Sequence, residues 1–185
     1  MIKPGSQLYE YLSPQQRVLA GDGEFLVSDS VGHKNEEPTD YSYLVFPFAK
    51  MFEGFLKQLF LDLGFIEEGM YYSDRFRIGK ALSPNYSNYA GSVYGQVEKK
   101  YGKALATRLW HIWKEGRNLV FHYFPHNYRA LTRDQAVDLI DQLVQAMEET
   151  VAITHVTPKK REDVCFIGSG QANRTMAKIT KLAKK

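Results

Sequence analysis

Apolar residues return every three or four positions through much of this chain, and that period belongs to helices that bury one face. The strongest case runs through DYSYLVFPFAKMFEGFLKQLFLDLG, where Leu44, Phe48, Met51, Phe52, Phe55, Leu59 and Leu63 make one stripe. Thr39 or Asp40 is placed to cap its start, and Gly64 to stop it. Pro47 has no N–H to give, so it predicts either a kink or a place near the first turn. Another helix is expected from Ser13-Pro14 to about Leu26, with proline in its first turn. Two more are expected, over Ser92–Tyr101 and from Lys103 to about Glu115. The second of these turns Leu105, Leu109 and Ile112 or Trp113 inward. Thr132-Arg133-Asp134-Gln135 is a capping-box pattern. It opens a last long helix, Arg133 to about Ile153, with Val137, Ile140, Leu143, Val144 and Met147 on one face.

The intervals are polar. Gly32–Pro38 reads as a turn, and Glu67–Gly91 as a long connector rich in Tyr, Ser, Asn and Gly. Ser83-Pro84-Asn85 is a turn within that connector, and Arg77–Leu82 a short helix. Gly116 interrupts the helical pattern, and Pro125 ends whatever helix carries His122. Pro158 closes the compact part. Beyond it, Val164–Ile167 reads as a short strand and Arg174–Lys185 as a short basic helix. The fold expected is all-α, a bundle of four to six helices. It would comprise a helical extension over 1–38, the bundle over 39–157 and a basic tail over 158–185.

Composition narrows the class. A chain of 185 residues, 44% hydrophobic and 14% aromatic, can bury one substantial core. Cys165 is alone, which excludes an intrachain disulfide and a multi-thiol zinc site and fits a reducing compartment. No stretch approaches the roughly 20 apolar residues of a spanning helix. The N-terminal MIKPGSQLYEYL has no signal-like apolar region, so a cytoplasmic protein is expected. The net charge of +3 is uneven. Lys159, Lys160, Arg161, Arg174, Lys178, Lys181, Lys184 and Lys185 face only Glu162 and Asp163 in the C-terminal stretch. Such a tail attracts polyanions at little structural cost, and it reads equally as a solvated segment.

Candidate chemistry gathers at Gly116-Arg117-Asn118-Leu119-Val120-Phe121-His122. An arginine, a polar residue beside it and a histidine five positions on offer a fixed cation and a group that titrates near neutrality. On an ideal helix of about 3.6 residues per turn, a five-residue spacing puts the two side chains roughly 140° apart. They cannot share one groove from one straight helix. Either Gly116 breaks the helix, or two copies of the motif face each other. Asn118 and His122 are four apart, so Asn118 can orient the imidazole or cap the helix. Lys50 and Glu53, three apart, share a face of the long apolar helix. His126, just after Pro125, is placed to line the same cleft, whereas His111 has no such support. Tyr71, Tyr72, Tyr86, Tyr89 and Tyr94 read first as residues that pack the connector onto the bundle, and second as stacking platforms for unpaired bases.

The Arg117–His122 spacing resembles the HEPN nuclease motif. The run Phe46-Pro47-Phe48-Ala49-Lys50-Met51-Phe52-Glu53-Gly54-Phe55-Leu56-Lys57-Gln58-Leu59 resembles the core helix of the RnlA/LsoA ribonuclease toxins, as does Asp40-Tyr41-Ser42 before it. The likeness covers roughly Asp40 to Thr154. It implies a metal-independent endoribonuclease with no cofactor, cutting single-stranded RNA at a homodimer interface, with Arg117 and His122 central and Glu53 in support. A basic residue one turn before that glutamate is arginine in some relatives and Lys50 here, which keeps the charge and loses the planar fork. It also implies a toxin held by a cognate antitoxin, with phage defence as the setting. Some HEPN toxins carry a tyrosine two residues after the histidine, where AMP is attached. Phe124 stands there and Tyr123 is one place off, which favours an antitoxin that binds directly.

Glu53 can pair with Arg117 and hold its fork or tune His122 upward; the first is preferred, because a carboxylate next to a guanidinium is less costly to bury than one alone. Plain structural roles compete: His122 as a packed residue among Phe121, Tyr123 and Phe124, Arg117 as a surface charge, and Glu53 as a partner of Lys50 or Lys57. The alternative function is a catalytically silent HEPN-like module that binds RNA or protein, and a weaker one is a structural dimerisation protein.

Overall fold

A computed structural model describes residues 2–32, 38–122, 125 and 129–158. Within them every regular element is helical and there is no strand. Helix α1 (Gln7–Tyr11) leads into α2 (Pro14–Asp29), which starts with a full capping box: Ser13 accepts from the Gln16 N–H, and Gln16 accepts from the Ser13 N–H. Pro14 sits at its first position, where a missing N–H costs nothing. The helix runs three residues past the expected Leu26.

Helix α3 (Ser42–Asp62) is the axis of the molecule, and α2, α9 (Arg133–Thr154) and shorter elements pack around it. Phe48, Phe52, Phe55 and Phe60 are fully buried along it, each contributing about 1.5–3 kcal/mol on the usual scale of apolar burial. Of the expected stripe, only Leu63 stays half-buried. Pro47 lies in the second turn, where it withholds a bond from the Tyr43 carbonyl. Asp40 does not cap from the N-cap position, which Tyr41 holds. It works from one residue earlier, accepting from the Ser42 N–H and hydroxyl at 2.9 and 2.6 Å. The same carboxylate oxygen accepts from the Leu131 N–H at 3.1 Å, while Tyr41 donates to the Leu131 carbonyl at 2.9 Å. The start of α3 is thus tied to the residue before the N-cap of α9.

Two short helices, α4 (Glu68–Tyr71) and α5 (Ile78–Ala81), and a 3-10 turn at Pro84–Tyr86 occupy the polar connector. Helices α6 (Val93–Tyr101) and α7 (Lys103–Trp113) follow, separated by Gly102 with φ of 93°, a backbone state that glycine takes without strain. Helix α9 carries the expected capping box, Thr132 with Gln135, and ends on His155 in the left-handed region. Val137 is only half-buried, whereas Ile140, Leu143, Val144 and Met147 reach the core. Five helices are long, α2, α3, α6, α7 and α9, and with the short ones the helices among the described residues outnumber the four to six expected. The N-terminal helices share this core, since Leu8, Tyr11, Leu12 and Ala20 are part of it and α1 lies against α9. Gln58 donates to the Tyr11 carbonyl at 2.8 Å, and the Tyr11 hydroxyl bonds Asp62 at 2.8 Å. Most of the expected Gly32–Pro38 turn, the Val164–Ile167 strand and the Arg174–Lys185 helix lie outside the described residues.

Candidate active site

Gly116 does not break the helix. The chain widens instead, into a π-helical turn over Lys114–Asn118 in which the Leu119 N–H reaches back five residues to the Lys114 carbonyl. A last short helix, α8 (Leu119–Phe121), completes the rod begun by α7. Gly116 is buried in the widened turn because Leu143 of α9 presses on it. A side chain there would meet Leu143 Cδ2 at 2.9 Å and Cγ at 3.1 Å. Such turns are rare, and they occur often at functional sites. The widening removes the premise of a straight helix, so the 140° separation does not apply.

Arg117 leaves this turn toward α3, and its Nε donates to Glu53 Oε2 at 3.2 Å across 64 positions of sequence. Both side chains are about one-third exposed, 34% and 35%. Such a pair adds only about 0–1 kcal/mol to stability, and it fixes one side of the guanidinium against α3. The pairing reasoned for Glu53 is therefore with Arg117 and not with Lys50. A cleft of about 350 Å³ opens beside the pair, lined by Phe46, Lys50, Glu53, Lys57, Arg117 and Phe121, among others. Its ionisable lining is three cations and one carboxylate, which suits an anionic ligand. Phe46 and Phe121 meet edge to face at 5.6 Å beside it.

His122 is the residue after Phe121. It is exposed, extended (φ −105°, ψ 127°) and outside the helix, so the helix ends before Pro125 is reached. It does not belong to the lining of the cleft within one chain. Asn118 has helical backbone angles inside the widened turn and caps nothing. Among the described residues no hydrogen bond joins it to the imidazole. Lys50 is exposed at the cleft and has no carboxylate in ion-pair range among the described residues. His111 is exposed on α7. His126, Lys159, Lys160, Arg161, Tyr123 and Phe124 lie outside the described residues. Among those described, no three His, Cys, Asp or Glu side chains converge as a metal centre would need, and no helix is long and apolar enough to cross a membrane.

Lys57 and the aromatic pair were not singled out as site residues. A signal was available: Phe46, Lys50, Glu53 and Lys57 follow one another at spacings of four, three and four, a second stripe beside the apolar one. The tyrosines divide. Tyr94 is buried and hydrogen-bonded to Thr107 at 3.1 Å, and Tyr71 is half-buried, whereas Tyr72, Tyr86 and Tyr89 are exposed. No family model, curated protein or solved structure matches the chain.

Proposed function

We propose that this chain is a metal-independent endoribonuclease of HEPN type, resembling the RnlA/LsoA toxins. In this reading it cuts single-stranded RNA, mRNA in the cell, and is held by a protein antitoxin in phage defence. The observation that carries the reading is Arg117 on a widened helical turn, aimed by Glu53 into an open cationic cleft.

The chemistry follows from the residue types. A base removes the proton of the RNA 2′-hydroxyl, and the 2′-oxygen attacks the adjacent phosphorus. The bond from phosphorus to the 5′-oxygen breaks, and an acid protonates that oxygen. The products are a 2′,3′-cyclic phosphate and a 5′-hydroxyl. Guanidinium groups hold the charge of the phosphorane through paired N–H donors. An imidazole performs either proton transfer, worth about 10²–10⁴-fold. One chain supplies one such imidazole at this motif, and the reaction needs two transfers. This supports a homodimer in which His122 and the partner subunit's His122 take the two roles. The exposure of His122 outside its own cleft is compatible with that division.

The test is cleavage of a single-stranded RNA in EDTA, with the new ends read by mass spectrometry. Arg117→Ala and His122→Ala are each expected to lose at least about a hundredfold. Wild-type rates in both variants would reject the site. Salt-sensitive RNA binding with no cleavage by the wild-type chain would favour the silent binding module instead.

A further inference from the structure

A second cleft, of about 730 Å³, is formed by the connector between α3 and α6. Phe76, Tyr86 and Tyr89 line it with Arg75, Arg77 and Lys80. No carboxylate is part of its lining, and the three cations have no ion-pair partner among the described residues. Tyr89 is 68% exposed and Tyr86 40%, with their rings 5.6 Å apart at 62°. The Lys80 ammonium stands 5.7 Å from the Tyr86 ring centre. This is an unneutralised cationic cleft with unburied π surfaces. A hydrophobic-packing role would have buried the rings, and a structural ion-pair network would have brought acids.

We propose that this cleft binds single-stranded nucleic acid, with Tyr86 and Tyr89 stacking on unpaired bases while Arg75, Arg77 and Lys80 hold backbone phosphates. A duplex hides the base faces such a site needs, whereas a single strand offers a base and a phosphate together. An acidic peptide would satisfy the cations but offers a flat ring only where it carries an aromatic residue, whereas every nucleotide pairs a base with a phosphate. The short helix beside the cleft packs against the segment that leads into the first site. Gly79 of α5 rests against the Trp113 ring, and a Cβ at Gly79 would overlap it. Trp113 is the residue immediately before the widened turn that carries Arg117. As a device that positions substrate, the cleft rests on the ribonuclease reading above; as a binding site it stands independently.

The experiment uses the full chain and a fluorescein-labelled 2′-O-methyl oligouridylate, which lacks the nucleophile and so reports binding apart from cleavage. Anisotropy is read from 50 to 300 mM salt. Tyr89→Ala is expected to weaken binding about tenfold, since stacking on one aromatic is worth about 1–3 kcal/mol per base, and Tyr89→Phe to restore it. Lys80→Ala should lower the slope of log affinity against log salt by about 0.7, the value of one phosphate contact on a single strand. Unchanged circular dichroism and melting would confirm that both variants are folded. Wild-type affinity and slope in Tyr89→Ala and Lys80→Ala would overturn the proposal. So would absence of binding by the wild-type chain, equal binding of a matched duplex, or equal competition by polyglutamate. If Tyr89→Ala loses binding while wild type cuts no RNA, the ribonuclease reading fails and this site stands. If Arg117→Ala loses cleavage while Tyr89→Ala binds normally, the reverse holds.

Discussion

Helix α9 and the rod made of α7, the π turn and α8 are both helical elements packed into the core, and they are built differently. Helix α9 is closed at both ends. Thr132 and Gln135 satisfy each other's backbone donors, Leu131 is tied to Asp40 and Tyr41, and His155 ends the helix in the left-handed region. The rod begins at Gly102 with no side-chain cap, widens at Lys114–Asn118 and stops at Phe121 with His122 already extended. The regular helix supplies packing surface. The irregular one departs from regularity where Arg117 and His122 stand. Leu143 of α9 packs against its widened turn, and Arg117 on that turn pairs with Glu53 of α3.

The difference can be broken from the side of the brace. Gly116→Val should have the largest effect on stability, about 1–3 kcal/mol, because the added carbons press on the fully buried Leu143. Urea unfolding measures it, and Leu143→Ala in the same chain should recover part of the loss specific to position 116. A Gly116→Val chain as stable as wild type would mean that the contact does not hold the turn.

The pinned end of α9 is the next target. Burial pushes the Asp40 carboxyl upward, but its bonds from Ser42 and Leu131 outweigh this and leave it below its ordinary 3.8. A carboxyl lowered in the folded state stabilises the fold above its unfolded value and loses that contribution as pH falls through the folded one. Stability of the wild-type chain should therefore fall on titration below about pH 4, and Asp40→Asn should flatten that part of the profile. Asp40→Ala should cost about 1–2 kcal/mol at pH 7, by leaving the Ser42 and Leu131 donors unmet. Superimposable profiles for wild type and Asp40→Asn would remove the carboxylate from this account.

The smallest effect on stability sharpens the contrast most. Glu53→Gln should change unfolding free energy by less than about 1 kcal/mol, since the pair is one-third exposed. On the proposed ribonuclease reading, RNA cleavage should nonetheless drop, because the amide still fills the space but no longer holds the guanidinium by charge. A loss of stability with unchanged cleavage would make the pair structural.

Much of this was legible in the residues. The α3 stripe, the Ser13 and Thr132 starts and the inward faces of α7 and α9 follow from a 3.6-residue period and from capping chemistry, both local. The partnership of Glu53 with Arg117 was reachable by charge reasoning. Within the connector the tyrosines were not separable: Tyr71 and Tyr72 are neighbours in sequence, and only the packing leaves the first half-buried and the second open. Nothing adjacent to Gly116 distinguishes a break from a widening, and the side chain packed against it, Leu143, is 27 positions away on another helix.

The chain alone therefore decided where helices lie, which faces are apolar, and that Lys50, Glu53 and Lys57 share one side of α3. These depend on neighbours within one or two turns. The tertiary structure decided the register of the rod, the burial of each tyrosine and the direction of the Arg117 guanidinium. Each of these depends on contacts between segments far apart in sequence, where a few tenths of an ångström separate a clash from a fit.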